Sequence, residues 1–386
     1  MFASAIQPSL SNRFRREHFL LSLFVGACSL ALSAAAASPA QTQIDLLLRV
    51  AYPENGPGAA VLVRQGDRIL VRQGYGLADL RHRVPLAPDR VFRIGSITKE
   101  FTAAAVLQLV AAGKLHLDDE VARYVPSFPT HGHRITIAQL LSHTSGIPNY
   151  TAEPRFRTIP TVPLTRQDIF DLIKDRPLNF EPGTDWAYCN TGYVLLGAVI
   201  EKVSGQSYAA YLRDHILAPA GLSHTAFGEQ ENLLAARAAG YSRTATGHWV
   251  GAVDLSVTQA DAAGALVSDV DDLWRWEAAL EEGRIVRPDL LALARTPVSL
   301  SKGEDRPGYG LGWELPTIAG HRVASHGGTI SGYRSYEISV PDLGLFVAIL
   351  CNCDRPLADP QDVALQIVSL AADAPRMDGG ALLTRN

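Results

Sequence analysis

The apolar positions of this chain fall into three kinds of pattern. Residues 42–50 (TQIDLLLRV) carry the spacing of a short helix. Ala59–Val63 and Ile69–Val71 are apolar runs separated by Gly66-Asp67, which predicts a β-hairpin. From Ser96 to Ala112 the apolar residues stop keeping to one face: Phe101, Ala103–Leu107 and Leu109–Ala112 leave Gln108 as the main polar exception. A helix that is apolar all round is expected to be buried and central, and Gly113 is placed to close it. Between about 115 and 300 helical spacing dominates, at 135–142, 166–174, 191–204, 206–217 and 268–282. Pro-rich surface loops are expected at 154–163 and 286–297. Strand signals return after Gly308, where Leu311–Leu315, Arg322–His326, Tyr333–Val340 and Leu345–Cys351 alternate or run apolar. A last helix is expected over about Pro360–Ala372, followed by a polar, Gly-rich tail from Pro375 that reads as disordered.

Strands thus sit at both ends of the chain and helices in the middle. Sequence-distant strands must pair to complete one antiparallel sheet, with helices packed on it and an all-helical lobe inserted. This predicts an α+β fold. The sheet lobe is expected at about 41–95 and 305–374, the helical lobe at about 96–304 and the tail at 375–386.

The first forty residues have a different character. Arg13, Arg15 and Arg16 precede an apolar run from Phe19 to Leu32, too short to span a bilayer comfortably. Ala34–Ala37 and Ser38-Pro39-Ala40 then offer small-residue cleavage sites. The stretch 1–40 reads as a secretory signal peptide, cut near Ala37 or Ala40, so the protein is expected to be periplasmic or secreted, without a stable membrane span after cleavage. Cys28 is a poor lipidation site, since Val25-Gly26-Ala27 is a weak lead-in and the apolar run continues past it.

Composition narrows the function classes. The chain has 386 residues, 47% of them hydrophobic and 19% charged, and a net charge of −4 without long runs of either sign. No basic face argues for a nucleic-acid partner. Beyond the leader, Cys189, Cys351 and Cys353 are an odd number, which argues against a disulfide framework. Cys351 and Cys353 alternate along an apparent strand and read as two buried thiols on one face. No zinc spacing occurs, and neither a metal nor an organic cofactor is implied.

Three short motifs carry chemistry. Ser96-Ile97-Thr98-Lys99 opens the buried helix, and residues three apart share a helix face. A serine hydroxyl needs an adjacent base to become a nucleophile, and burial lowers the pKa of a lysine enough for it to serve. Ser is also a common N-cap, and Ser299-Leu300-Ser301-Lys302 repeats the spacing in a loop with no buried helix behind it. Tyr188-Cys189-Asn190 follows the turn Glu181-Pro182-Gly183. It presents a phenol that a neighbouring cation would turn into a phenolate or a proton relay, and an amide that would pair with a substrate amide, or cap the helix that follows. His326-Gly327-Gly328-Thr329 ends a strand, where two glycines let a ligand approach the backbone and main-chain N–H groups face an extended substrate. No G-x-S-x-G elbow is present.

The order S-x-x-K, Y-x-N, [K/H]-x-G resembles the serine β-lactamase and penicillin-binding protein superfamily, in its class C-like branch of D-alanyl-D-alanine carboxypeptidases, D-aminopeptidases, esterases and class C β-lactamases. Phe92–Lys99, Gly113-Lys114-Leu115, Leu140–Gly146, Pro182-Gly183, Asn190–Tyr193 and Tyr309–Trp313 extend the likeness over about residues 45–370. The resemblance implies a β-lactamase/transpeptidase-like fold. It further implies Ser96 as the acylated nucleophile, Lys99 as its proton acceptor, and Tyr188 as helper in deprotonation and donor to the leaving group. Asn190 would orient the substrate amide. Backbone N–H groups of Ser96 and Thr329 would hold the oxyanion, and His326, Gly327, Gly328 and Thr329 would line the substrate site, with His326 opposite Tyr188. Leu141 to Gly146 is taken as a structural helix end. Class C β-lactamases carry Lys where this chain has His326, and an imidazole anchors a carboxylate less well than an ammonium. That departure places a peptidase or amidase first, D-Ala-D-Ala carboxypeptidase-like, an esterase second and a β-lactamase last. The substrate is then a small peptide, β-lactam or ester. A non-catalytic penicillin-binding or sensor protein is the alternative of another class, disfavoured because every catalytic residue type is present.

Overall fold

The structure is a computed structural model that describes residues 38–228, 237–300 and 308–372. Residues 1–37 of the expected leader and the whole of the expected tail lie outside the described residues, as do Ser301 and Lys302 of the second S-x-x-K. Ser38 caps helix α1 (Pro39–Ala51) through its hydroxyl, which accepts from the Gln41 N–H. No helix among the described residues is long and apolar enough to cross a membrane.

Five strands form the main sheet: β1 (Ala59–Gln65), β2 (Arg68–Tyr75), β3 (Ala324–Ile330), β4 (Tyr333–Val340) and β5 (Leu345–Cys351). Their order is β3-β4-β5-β1-β2, every neighbour antiparallel, so the two ends of the chain meet where β1 pairs with β5. Both faces of the central strands are covered, which is why they read as apolar runs. Ala60, Leu62, Ala348 and Leu350 point into one core, and Val61, Val63, Val347 and Ile349 into another beneath α1 and the last helix.

Helix α2 (Thr98–Ala111) crosses the first core with no exposed face until its last turn. It packs against α3 (Asn190–Ser204) and α4 (Val257–Gly264). Beyond them run α5 (Val270–Glu281) and, on the far side of the sheet, α6 (Pro360–Ala372).

The structure departs from expectation at several elements. Leu311–Leu315 is a turn and not a strand: Gly312 adopts φ +103°, and Glu314 makes only isolated bridges, to Tyr309 and to Ser325 on β3. The 286–297 loop contains a helix, Pro288–Ala294, with Pro at its first turn. The middle of the chain is not all-helical. Phe92–Arg93 and Ala226–Phe227 flank Leu266–Ser268 in a small sheet, and Tyr241–Arg243 pairs with Trp249–Gly251. Cys353 lies past the end of β5 and not on the strand; it and Cys351 are free, buried thiols. Most relevant to function, His326–Thr329 lies within β3 and does not end it.

Candidate active site

The chain enters α2 through a tight 3₁₀ turn, Gly95–Ile97. Gly95 has φ +53°, and a Cβ there would sit 2.9 Å from the Thr329 nitrogen. A Cβ at Gly328 would sit 2.0 Å from the Ile94 carbonyl oxygen. These two glycines let the serine turn touch the edge strand β3 main chain to main chain, and the Ser335 hydroxyl fastens the contact by donating to the Ile94 carbonyl at 2.8 Å. Ser96 is thereby held beside the Thr329 backbone.

Lys99 sits one turn deeper and is fully buried. Its Nζ lies 3.0 Å from Ser96 Oγ, 2.8 Å from Asn190 Oδ1 and 2.7 Å from the Ala263 carbonyl oxygen. The last two groups only accept. Burial pushes the amine well below its ordinary value of 10.5, outweighing smaller opposing effects of Cys189 and Glu314. A neutral amine has two N–H donors, which Asn190 and Ala263 take, and one lone pair, which then faces the Ser96 hydroxyl. The Ala263 acceptor is aimed by Asp261, whose φ of 41° is held by two bonds from Arg166 (2.5 and 3.0 Å) and by the Ala262 N–H at 2.7 Å.

Tyr188 faces Lys99 with its ring, 4.7 Å from Nζ. Its hydroxyl is buried and makes no hydrogen bond of ordinary geometry, although it is close enough to Ser96 for the interaction to favour ionisation slightly. Burial dominates and raises the phenol well above 10. Burial thus works against the phenolate that a neighbouring cation would favour.

His326 is 1% exposed. Its Nδ1 lies 2.7 Å from the Gly327 carbonyl, which can only accept, so Nδ1 carries the proton and Nε2 accepts from the Tyr309 hydroxyl at 3.1 Å. Burial pushes its pKa down to about 3. The imidazole is neutral, and its ring centre lies 6.3 Å from that of Tyr188. Asn190 opens α3, and its side chain does not cap that helix. Its oxygen is turned to Lys99, and one amide hydrogen goes to Thr151 Oγ1 at 3.3 Å.

Ser96, Tyr188, Asn190, His326, Gly327, Gly328 and Thr329 all line one cleft of about 320 Å³, and Lys99 lies beneath it. Sequence reasoning did not single out several of their neighbours. Glu314, Arg334 and Asp359 also line the cleft. Tyr309 and His143 back its wall: the His143 ring lies 4.4 Å from Tyr188 and 4.7 Å from Tyr309, and its Nδ1 accepts the Cys189 N–H at 3.1 Å. Tyr309 and His143 belong to stretches that carried the resemblance, which was the available signal. Among the described residues no group of His, Cys, Asp and Glu is arranged to hold a metal.

A family model described as Beta-lactamase matches residues 50–372. The chain belongs to the beta-lactamase family. Within it, the chain is 33% identical over 300 residues to penicillin-binding protein 4* of Bacillus subtilis strain 168, covering 73% of this chain and 65% of that one. It is 28% identical over 324 residues to a D-aminopeptidase of Gluconobacter oxydans strain 621H, covering 83% and 60%. It thus spans less than two thirds of the length of these two relatives. Among solved structures, D-amino acid amidase from Ochrobactrum anthropi SV3, complexed with L-phenylalanine amide, superposes with a TM-score of 0.76 at 26% identity, covering 87% of this chain and 99% of that one. The fold is accordingly the β-lactamase/transpeptidase-like α+β fold.

Proposed function

We propose that this protein is a serine hydrolase that cleaves D-amino-acid amides or peptides through an acyl-Ser96 intermediate. The observation that carries the reading is the buried Lys99 amine, 3.0 Å from Ser96 Oγ, with both N–H groups committed to fixed acceptors. In this reading the Ser96 proton passes to the Lys99 lone pair as Oγ bonds to the substrate carbonyl carbon. The oxyanion forms against the N–H groups of Ser96 and Thr329. The protonated Tyr188, ring against Lys99, relays a proton to the leaving nitrogen, whose bond to carbon breaks. Water then attacks the acyl carbon as its proton passes to Lys99, the carbon–Oγ bond breaks, and that proton returns to Ser96 Oγ as the acid leaves. His326, neutral and tied to Tyr309, shapes the wall opposite Tyr188. The relatives named a D-aminopeptidase and a D-amino acid amidase support the amide-hydrolase reading over the esterase and β-lactamase ones. Export through a cleaved leader over residues 1–40, and the division into a sheet lobe and a helical lobe, are part of the same proposal.

The test is a panel of D-alanine amide, a D-Ala-D-Ala peptide, p-nitrophenyl acetate and nitrocefin, with Ser96→Ala as control. Ser96-dependent turnover of the amide or peptide is expected. Turnover that survives Ser96→Ala, or a Ser96 adduct with penicillin and no turnover of any substrate, would overturn the reading.

A further inference from the structure

Among the described residues the cleft is lined by one guanidinium, and it is already occupied. Arg334 stands opposite Thr329 in the β3–β4 pairing and donates through Nη1 to Thr329 Oγ1 at 2.8 Å. Its Nη2 lies 2.6 Å from Asp359 Oδ2, both side chains about one third exposed at the cleft wall. Asp359 is itself fixed. It directly precedes α6, its Oδ1 accepts the Gln361 N–H at 3.0 Å, and its carbonyl accepts the Val363 N–H at 3.1 Å. One carboxylate oxygen thus caps a helix while the other neutralises the arginine.

Among the described residues the rest of the lining offers an anion no second arginine and no lysine at its surface. Burial lowers the pKa of both Lys99, beneath the cleft, and His326, and among the described residues the remaining carboxyl of the lining is that of Glu314. A substrate carboxylate entering here would have to compete with Asp359 for Arg334 at contact distance, where like charges repel. An uncharged carboxamide would meet no such cost.

We propose that Asp359 is a specificity-determining residue: by neutralising Arg334 it makes the cleft select substrates whose end beside the scissile bond is uncharged, so that D-amino-acid amides and amidated peptides are taken ahead of free-carboxylate peptides and penicillins. The inference rests on the Ser96 hydrolase reading and narrows its substrate class. Asp359 blocks the arginine's use without touching the reacting atoms, and removing its charge exposes an anion site that the fold already holds in place.

The experiment compares kcat/KM for D-Ala-D-Ala and for the same dipeptide with a C-terminal carboxamide, in wild type, Asp359→Asn, and Asp359→Asn combined with Arg334→Gln. Asn keeps the helix cap and removes the charge. Both substrates are read on one preparation, so their ratio is independent of the fraction folded. Wild type is expected to favour the carboxamide at least tenfold. Asp359→Asn is expected to move the ratio about tenfold toward the free acid, and Arg334→Gln to cancel that gain. A wild type that favours the free acid, or a ratio unmoved by Asp359→Asn, overturns the proposal while leaving the hydrolase reading intact. Failure of wild type to turn over either dipeptide or D-alanine amide overturns both.

Discussion

Lys99 and Glu100 are neighbours on one helix, both fully buried, yet they face different surroundings and serve different ends. Around Lys99, two pure acceptors and a hydroxyl meet the amine under an open cleft. Around Glu100, the Trp276 indole donates at 3.0 Å and the Glu337 carboxyl shares a hydrogen bond, while Arg295 pairs with Glu277 at 2.6 Å nearby. Burial drives both residues toward neutrality. It lowers Lys99 well below 10.5, raises Glu100 to about 7 and raises Glu337 well above 4.5. The same desolvation therefore yields a base where the neutral group keeps a free lone pair toward a cleft. It yields a proton-sharing structural pair where the group is closed in on every side.

The largest effect is expected from breaking the Lys99 side. Lys99→Met should lower kcat/KM by roughly 10³-fold or more, as loss of a general base does. In wild type the same quantity should fall as pH drops through the lowered Lys99 pKa, because the base must be deprotonated, and that limb should lie well below 10.5. A loss under tenfold, or a limb near the ordinary lysine value, would remove the distinction between the two residues. Tyr188→Phe should cost less, about 10²-fold in kcat with KM little changed, since a neutral phenol relays a proton without being the primary base. An equal loss in both variants would mean that the two groups act as one unit.

The Glu100 side should register in stability and hardly in rate. A carboxyl whose pKa is raised on folding holds a proton that the unfolded chain releases above about pH 4.5. Stability is therefore greatest below about pH 4.5 and falls as pH climbs from there up through the raised folded pKa. Glu337→Gln preserves a donor to Glu100 and cannot ionise. It should raise stability by roughly 1–2 kcal/mol at pH 8 and by much less at pH 5, read as the difference in Tm between variant and wild type. A difference independent of pH would show that the carboxyl pair does not titrate with folding.

What the sequence made legible follows the physics of each element. Tyr333–Val340 and Leu345–Cys351 are recovered to the residue, the first because polar and apolar residues interleave along it between Gly332 and Pro341, the second because a strand covered on both faces leaves a long apolar run with sharp ends. Helix α2 is legible for the same reason. Leu311–Leu315 misleads because Trp313 and its neighbours are buried as a turn, and burial alone does not specify a strand. Helix α4 gives little signal, since its Ala-rich sequence is interrupted at Asp261, whose non-helical backbone is held only by Arg166 from elsewhere in the chain. The S-x-x-K spacing brings Ser96 and Lys99 together by helix geometry alone. The second acceptor of the amine is a main-chain carbonyl at Ala263, which no side-chain pattern announces. The Arg334–Asp359 pair joins a sheet strand to a helix cap, a meeting that only the tertiary fold decides.

The backbone seam between the serine turn and β3 has its own consequence. With no side chain standing between Gly95 and Thr329, or between Gly328 and Ile94, the gap from the nucleophile to the strand amide is fixed by peptide dimensions. It works as a spacer with almost no tolerance. Changes in what the protein accepts must therefore be written in the cleft walls, and even a single methyl at Gly328 would pry the hydroxyl away from the amide it works beside.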